Sequence, residues 1–387
     1  MQTKNIVRSL NSDAILAVKE IKEKLSGIKD IKCIIFFASY LYDSDVLAAE
    51  MAKQFPGVGS LGSSSNKELT SDGISTGALV AIAFTSDIIA DYHIEVVENL
   101  SADLDLQPTL NNFVAHYNRP LRDLEPNKYF GLVFMDFNNK AEDKLFNEFS
   151  DSVHMVFMGG TASDEWLFTH TGVYANGKYY KDAAVIALFQ PKKKFAFEKM
   201  ESVEEVGSPL TVTKSDFGGK KLYEIDGRPA AEVYCEMNGL KLSSDIMRQP
   251  NTASAICTMH PLGIKIEGQT YLREVFCVNE EDKSITMLIN IPEGLVVHFF
   301  KAADDIVLNT TSKIDDLLKK YNNDITSIIA FTCSARLGDA ERSDKFEEYS
   351  QMYSKVPCIG FYTFGEYFIV PVNHTSTLLI LLNEDIR

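Results

Sequence analysis

The stretch Val58-Gly59-Ser60-Leu61-Gly62, followed by Ser63-Ser64-Ser65 and then by Glu68, decides the fold. The same succession of residue types returns twice: Val156-Phe157-Met158-Gly159-Gly160 precedes Thr161-Ala162-Ser163 and Asp164, and Cys358-Ile359-Gly360-Phe361 precedes Tyr362-Thr363-Phe364-Gly365-Glu366. An apolar run that enters glycine, then hydroxyl side chains, then an acid predicts a strand that ends in a polar turn. Three such stretches predict a repeated unit.

The residues around each stretch follow one order. An amphipathic helix comes first, with an apolar face such as Ile15, Val18, Ile21 and Leu25, and a buried strand follows it. The predicted strands cover 33–38, 129–135 and 327–332, the second helices 44–54, 141–149 and 340–353, and the closing strands 78–84, 183–189 and 377–382. The predicted fold class is therefore α/β, in which repeated helix-strand-helix-strand-strand units form mixed sheets flanked by helices.

Residues 214–302 separate the second and third copies and predict a strand-rich insert in the C-terminal half. A strand at 221–225 leads through Asp226-Gly227 into a helix that opens at Pro229. One hairpin is predicted from 263–266 and 271–278, which turn at Glu267-Gly268, and another from 284–289 and 295–300. We place an N-terminal helix in 1–30 and two domains at 31–200 and 215–387, with the boundary in 192–216.

The charge of the chain excludes several classes of partner. Its 38 Lys and Arg against 54 Asp and Glu give a net charge of −16, which repels nucleic acid and anionic lipid. The longest apolar runs have the length of strands, so no membrane insertion is predicted. Six cysteines without a CxxC pair are expected to be reduced thiols, and no signal-peptide core precedes them, which favours a cytoplasmic location.

Two patterns typical of cofactor sites carry little weight here. Residues 57–62 match GxGxxG, but the pattern follows a helix and is predicted to lie along a strand, which is the wrong context for a dinucleotide. The seven histidines show no spacing typical of metal ligands, so no metal site is predicted. His260 and His374 stand out because each lies beside a loop that we expect to be functional.

Two arginines and a cysteine have competing interpretations. Cys333 ends a buried strand, and Arg336 three residues later could lower the pKa of the thiol and make it a nucleophile. Alternatively Cys333 is a structural cysteine, and Arg336 pairs with Glu366 or with a ligand carboxylate. Arg273 lies in a strand, where it is either solvated or presents its guanidinium to an anion.

The C-terminal third carries a string of motifs that resembles a known family. His260-Pro261-Leu262, Tyr271-Leu272-Arg273, Pro292-Glu293-Gly294, Cys333-x-x-Arg336, Pro357-x-x-Gly360-Phe361-Tyr362-x-x-Gly365-Glu366 and Asn373-x-Thr375 occur in that order. Together they resemble the C-terminal FIST domain. Gly62-Ser63-Ser64-Ser65, Leu69-x-x-Asp72-Gly73, Gly159-Gly160 and Asn176-Gly177 resemble the N-terminal FIST domain.

This resemblance implies a pair of sensory domains that bind a small ligand such as an amino acid. In the family such domains are often linked to kinases, cyclic-dinucleotide enzymes or chemoreceptors, and some members are similar to haem-based nitric oxide sensors. Both halves of the chain are assigned to the sensory pair. We therefore expect signalling through a separate partner protein, such as a kinase or a chemoreceptor.

The leading hypothesis is an intracellular ligand sensor, not an enzyme, whose three glycine and hydroxyl turns line one pocket. The candidate ligand-binding residues are Ser63, Ser64, Thr161, Arg273, Cys333, Arg336, Gly365 and Glu366. An arginine and a glutamate could hold the carboxylate and the ammonium group of an amino acid. No cofactor is predicted in this reading.

Two alternatives stay open at this point. The first is a haem-binding nitric oxide sensor with His260 or His374 as the axial ligand. The second is an enzyme that uses Cys333 as a nucleophile.

Overall fold

The computed structural model describes residues 5–102, 104–137, 141–242 and 255–386. Within these ranges no helix is both long and apolar enough to cross a membrane. The strands are β1 Ile6–Ser9, β2 Ile31–Ser39, β3 Gly59–Ser65, β4 Glu68–Thr70, β5 Gly73–Ser75, β6 Leu79–Thr85, β7 Ile89–Glu98, β8 Phe130–Met135, β9 Phe157–Thr161, β10 Val173–Ala175, β11 Lys178–Tyr180, β12 Ala183–Pro191, β13 Lys193–Glu201, β14 Val203–Ser215, β15 Lys221–Ile225, β16 Arg228–Pro229, β17 Leu262–Ile266, β18 Gln269–Arg273, β19 Val275–Val278, β20 Ile285–Met287, β21 Val296–Ala302, β22 Ile325–Cys333, β23 Cys358–Thr363, β24 Glu366–Phe368, β25 Val370–Val372 and β26 Thr375–Asp385.

The helices are α1 Ala14–Lys24, α2 Ser44–Gln54, α3 Gln107–Tyr117, α4 Glu142–Ser152, α5 Ala230–Met237, α6 Ala255–Thr258, α7 Ile306–Lys320, α8 Ser334–Arg342 and α9 Phe346–Ser350, with short 3₁₀ turns at Leu121–Asp123 and Met352–Lys355. Of the apolar face predicted for the first helix, Val18, Ile21 and Leu25 are buried, whereas Ile15 in the first turn of α1 is exposed. Asp13, Asp43 and Asp305 accept a backbone N–H at the start of α1, α2 and α7, which fixes where these helices begin.

Three six-stranded sheets, which together form what we call the body of the protein, have the same connections. Their strand orders are β1-β6-β2-β3-β10-β11, β7-β12-β8-β9-β24-β25 and β13-β26-β22-β23-β4-β5. In each sheet the central pair (β2 and β3, β8 and β9, β22 and β23) is parallel, and the strand that closes the unit runs antiparallel beside it. The predicted α/β class with mixed sheets flanked by helices is confirmed.

Each sheet is completed by a hairpin from another unit. The β4–β5 hairpin pairs with β23, the β10–β11 hairpin pairs with β3, and the β24–β25 hairpin pairs with β9. The β4–β5 and β24–β25 hairpins follow β3 and β23 after two residues, and the β10–β11 hairpin follows β9 after the loop 162–172. The polar turns that precede the hairpins therefore cross between sheets. The three units are thereby linked in a closed cycle.

The glycines of the quoted stretches allow the parallel pairs to approach closely. A Cβ atom at Gly62 would lie 2.1 Å from the carbonyl oxygen of Phe36, and one at Gly360 would lie 2.2 Å from that of Ala330. No real side chain tolerates such a contact, and the neighbouring backbone cannot move without breaking the ladder. Close approach therefore explains these two glycines, whereas a positive φ does not.

The inward faces of the three sheets enclose one apolar core. Phe37 of β2 stacks on Phe361 of β23 at 4.5 Å, and it meets Phe134 of β8 and Phe331 of β22 edge to face at 5.6 and 6.2 Å. The alternate residues of the same strands, such as Phe36, point outward into clusters formed with the helices. Because side chains alternate between the two faces of a strand, each strand contributes to the shared inner core and to an outer cluster under the helices.

The insert forms a nearly closed sheet in the order β18-β17-β21-β14-β15-β20-β19. Its two ends, β18 and β19, are separated along the chain by the single residue Glu274. The predicted turn at Glu267-Gly268 is confirmed, as are the strand at 221–225 and the helix after Pro229, but the single strand predicted at 271–278 is divided at Glu274 into β18 and β19.

Two predictions about local structure were wrong. The helix predicted at 340–353 is broken into α8 and α9, and α8 begins six residues earlier, directly at Ser334. The strands predicted as a hairpin at 284–289 and 295–300 do not pair, because β20 pairs with β15 and β19, and β21 pairs with β14 and β17. The polar segment 192–216, where we place the domain boundary, contains the strands β13 and β14, whose polar residues are half-exposed or exposed.

We predict that Phe37→Ala lowers the free energy of unfolding by about 3–5 kcal/mol, since it opens a cavity where all three units meet. The control is Phe217→Ala, at a fully exposed position, which should change stability by less than about 0.5 kcal/mol. Urea unfolding of both variants measures the difference. Equal stability of the two would contradict a shared core.

Candidate functional site

The three polar turns meet, as the sequence predicts, and they seal against each other. Ser163 N donates to Ser64 O at 3.2 Å, Tyr362 N donates to Lys67 O at 3.1 Å, and Phe364 N donates to Thr161 O at 3.2 Å. Ser63, Ser64 and Thr161 are fully buried. Their hydroxyl groups bond within the protein: Ser63 Oγ to Ser64 O, Ser64 Oγ to Gly172 N, and Thr161 Oγ1 to Glu142. These side chains close the body instead of facing open space.

Two of the recurring acids hold equivalent positions in these turns. Glu68 accepts from Ser65 Oγ at 2.6 Å and from Ala78 N at 2.9 Å, while Glu366 accepts from Thr363 Oγ1 and, at 3.2 Å, from Thr375 N. Burial raises the pKa of each carboxyl group to about 8 although these hydrogen bonds oppose the shift. Each acid therefore bridges the ends of its hairpin in a largely protonated form at neutral pH.

We predict that Glu366 makes the stability of the protein decline in mild alkali. Its folded pKa lies above its unfolded value, so its contribution is complete below about pH 4.5 and is lost as pH rises through about 8. Glu366→Gln imitates the protonated acid and should reduce the fall in melting temperature between pH 6 and pH 9. Glu68→Gln is the equivalent substitution at the other buried acid, and it should have the same effect. An unchanged pH profile in the double variant would contradict the assignment.

The two candidate arginines bind protein groups. Arg336 is fully buried, and its Nη2 donates to Thr310 Oγ1 of α7 at 2.8 Å, so it does not pair with Glu366. Arg273 is also buried, and its Nη1 donates to Pro371 O in the β24–β25 hairpin at 2.7 Å. Arg273 therefore fastens the insert to the body. It is not solvated, contrary to one of its two interpretations.

Cys333 is the residue before α8, and its thiol is buried. Burial and the neighbouring acids Glu366 and Glu274 raise the pKa of the thiol well above its usual range. A nucleophilic cysteine needs the opposite shift, toward the thiolate. The geometry therefore favours the structural interpretation. Gly365, another candidate residue, lies in the turn between β23 and β24, where its carbonyl oxygen accepts from Thr161 N at 2.8 Å.

His374 lies between two buried acids. Its Nε2 is 3.0 Å from Asp339 Oδ2 of α8, and its Nδ1 is 3.5 Å from Glu274 Oε2 of the insert. Burial lowers the pKa of His374, but the two acids outweigh this effect and raise it to about 9. Burial raises the pKa of Glu274, whereas His374 and Arg342 hold the pKa of Asp339 below its ordinary value in spite of burial. The charged pair is thus Asp339 with His374.

The second haem candidate, His260, lies near Asp339. It is half-buried, and its Nδ1 has no hydrogen-bond partner among the described residues. Burial lowers its pKa. Neither histidine is among the residues that line the groove described below, and both nitrogens of His374 are directed at carboxylates. Among the described residues no group of His, Cys, Asp and Glu is arranged to hold a metal ion.

We predict that His374→Asn costs about 3–5 kcal/mol of stability, because it leaves buried acids without their cation. Asparagine tolerates the left-handed backbone of this position, where φ is 57°, so the backbone contributes little to the loss. Adding Glu274→Gln should restore part of the stability. A double variant no more stable than the single one, in urea unfolding, would show that Glu274 does not depend on His374.

A groove of about 280 Å³ lies next to the polar turns, along one face of α8. Its lining residues come from the segments that follow each turn or strand end: Asn66, Lys67, Glu165, Trp166, Thr258, Ser334, Ala335, Leu337, Gly338, Glu341 and Arg342. None of them is among the candidate residues predicted from sequence. They lie one to several residues further along the chain from Ser65, Asp164 and Cys333.

The floor of the groove is formed by small residues of α8. Ser334, Ala335 and Gly338 share one face of the helix, so the groove can follow its axis. Ser334 is 3% exposed, and its Oγ has no hydrogen-bond partner among the described residues. A buried hydroxyl group without a partner is costly in a folded protein. This atom makes the floor of the groove a candidate contact for a polar group of a ligand.

The opposite wall is the loop that carries Trp166, the single tryptophan of the chain. Asp164 holds this loop, because its carboxylate accepts the backbone N–H groups of Leu167, Phe168, Thr169 and His170. Trp166 has a φ of 62°, a strained value for a bulky residue. Strain of this kind is concentrated at functional sites.

The groove carries charges of both signs. Lys67 Nζ and Glu165 Oε1 lie 4.0 Å apart on one wall, and Glu341 and Arg342 lie at the far end of α8. Trp166 adds an aromatic surface, which packs on Phe364 at 4.9 Å between ring centroids. A wider depression of about 660 Å³, between Lys128, Gln190 and Lys193, is more open and offers no buried polar atom of this kind among its described lining residues.

The chain shares sequence with one curated relative and has weak likeness to solved structures. An uncharacterised protein of Methanocaldococcus jannaschii is 26% identical over 253 residues, which is 64% of this chain and 48% of the relative. The match thus spans about half of the relative's length. A chorismatase crystal structure covers 92% of this chain and 94% of its own at a TM-score of 0.31 and 8% identity. Phosphoribosylformylglycinamidine synthase II from Thermotoga maritima covers 98% of this chain and 72% of its own at a TM-score of 0.20 and 9% identity. At these scores the two structures carry no conclusion.

Two family models match consecutive parts of the chain. The FIST N domain matches residues 32–228, and the FIST C domain matches residues 230–369. Together they cover nearly the whole sequence, including most strands of the three sheets, the insert and α8. The chain therefore belongs to the FIST family, and it carries both the N and the C domain.

Proposed function

We propose that this chain is a small-ligand sensory protein that binds an amino acid or a similar small polar metabolite in the α8 groove. FIST domains are sensory domains of signal transduction. In this proposal, occupancy of the groove is read by a separate partner protein, such as a kinase or a chemoreceptor. The chain acts as a binding protein and not as an enzyme.

The observation that carries the proposal is the buried, unpartnered hydroxyl group of Ser334 on the floor of the groove. The groove thus has three properties of ligand sites: a concave shape, an aromatic wall and a polar group in place before the ligand arrives. The groove also lies against the sealed turns, which are rigid because their hydrogen bonds connect all three units. A rigid support reduces the entropic cost of binding.

The charges of the groove suit a zwitterion. A ligand carboxylate can accept from Arg342 or Lys67, and a ligand ammonium group can donate to Glu165 or Glu341. A volume of about 280 Å³ matches a small metabolite and not a peptide. Compared with the pocket predicted from sequence, the proposed site keeps the neighbourhood of the turns but replaces Arg336 and Glu366 as the charged partners.

The test is isothermal calorimetry and thermal shift against a panel of amino acids and small carboxylates. We expect at least one compound to raise the melting temperature, as any ligand specific for the folded state does. Gly338→Leu fills the floor of the groove from a half-exposed helix position, so it should abolish binding. The atoms nearest to the new Cβ belong to the flexible end of Arg342, and leucine favours a helix more than glycine does, so the unliganded melting temperature should not fall. Ser334→Ala should weaken binding by about tenfold, the value of one lost hydrogen bond.

The matched control is Lys319→Leu, a substitution at an exposed position of α7 away from the groove. It should bind like the wild type. If a compound binds equally well to Gly338→Leu, the ligand site lies elsewhere. If no compound of the panel binds, the proposed class of ligand is wrong.

A further inference from the structure

A line of charged side chains leads from the groove into the insert. Arg342, which lines the groove, donates from Nη2 to Asp339 Oδ1 one turn earlier on α8. Asp339 Oδ2 is 3.0 Å from His374 Nε2, and His374 Nδ1 is 3.5 Å from Glu274 Oε2. Arg342 is partly exposed, whereas Asp339, His374 and Glu274 are buried. The line therefore has one end accessible to a ligand.

These four residues belong to three separate elements. Asp339 and Arg342 lie on α8, His374 lies in the turn between β25 and β26, and Glu274 is the residue between β18 and β19. The same turn is also hydrogen-bonded to the insert, since Glu274 N donates to Asn373 Oδ1 at 3.0 Å and Asn373 N donates to Leu272 O at 3.2 Å. The imidazole ring is thus the charged contact between the groove helix and the end of the nearly closed sheet.

Other titratable groups lie next to these four residues, and their charges also affect the pKa of His374. The thiol of Cys333 is near the backbone N–H of His374, and Glu366 lies behind that thiol. His260 faces Asp339 from the segment before β17, and Lys301 faces His260. Cys333 and Glu366 are largely protonated at neutral pH, since burial raises the pKa of both. Arg342, Asp339 and His374 are therefore the charges that dominate.

We propose that an anionic ligand group in the groove draws Arg342 away from Asp339. The interactions of the His374 imidazole with Asp339 and Glu274 then become stronger, so that binding in the groove changes the charged contact with the insert. This inference rests on the proposed function, because it assigns the regulation of the same site. The ligand group is a carboxylate or a phosphate, the anions that a guanidinium binds through two hydrogen bonds. The insert is the part of the protein that a partner reads.

The sign of the effect follows from charge alone. Arg342 repels the proton on His374, and it competes for the charge of Asp339. Removing its cation from this contact, by a ligand or by mutation, favours the protonated imidazole. Binding is therefore accompanied by proton uptake where His374 titrates, and an anion binds more weakly at a pH above that range.

The first test needs no ligand. The pKa of His374 is measured by NMR of isotope-labelled histidine in the wild type and in Arg342→Met, which removes the cation. We expect an upward shift of roughly half a pH unit or more. Arg342→Lys, which keeps the charge, should stay near the wild type, and Lys319→Met controls for the change in net charge.

Hydrogen exchange of the same variants reports on the insert. In Arg342→Met the amides of β18 and β19 should exchange more slowly than in the wild type at pH 8.5 to 9.5, while those of β2 stay unchanged. An unmoved His374 pKa would overturn the proposal. A shift in pKa without a change at β18 and β19 would overturn it as well, because the charge would not reach the insert.

A second arm uses sodium acetate and inorganic phosphate as probes with the wild type and Arg342→Met. Either probe should raise the pKa of His374 in the wild type only, and the more effective one identifies the type of anion. An equal response in both proteins would contradict the role of Arg342. Failure of the amino acid panel leaves these measurements intact, so the two proposals can fail separately.

Discussion

The exchange of hairpins between the three sheets is the constraint on which the rest of the structure depends. Each hairpin is the next pair of strands after a parallel strand of its own unit, and it completes the sheet of a neighbouring unit. The turns that make these crossings must therefore meet, and their backbone groups bond to each other in a cycle. Their burial in turn requires small hydroxyl residues and protonated acids, such as Ser65 with Glu68 and Thr363 with Glu366. The shared phenylalanine core lies beneath this closure.

The groove is a consequence of that closure. Once the turns are sealed, the residues that follow them surround α8 and leave its small-residue face uncovered. Trp166 is held over this face by a loop that winds around the carboxylate of Asp164. Ser334 then presents a hydroxyl group with no partner among the described residues. A stable frame thus carries an unsatisfied, strained site, which is the combination expected where a ligand supplies the missing contacts.

The architecture of the body could be predicted from sequence because it depends on local patterns. The alternation in β2 and the helical face of α1 are visible in single segments, and the glycine stretches mark where parallel strands approach closely. The start of α8 was missed because Cys333 offers no side-chain hydrogen bond of the usual capping type, and the break before α9 has no proline or glycine. The sequence did not show that β20 and β21 pair with other strands instead of with each other, because strand pairing in the insert joins distant segments.

The site was harder to predict than the fold. Sequence reasoning favoured Arg336 and Glu366 because charged residues near a turn are typical ligand contacts, but α8 turns Arg336 inward to Thr310. Whether a side chain lines a groove depends on how its helix is rotated about its axis. The spacing of residues in the sequence gives this rotation only when the first residue of the helix is known. The solitary Trp166 after Asp164 and the small residues at 334, 335 and 338 were the available signals.

The central claim is that the α8 groove holds the ligand, and the single tryptophan allows the most direct test. With 5-fluorotryptophan incorporated, the protein gives one ¹⁹F resonance, that of Trp166. A compound that raises the melting temperature should shift this resonance with the same saturation curve. A compound that stabilises the protein and leaves the resonance unmoved would place the ligand elsewhere.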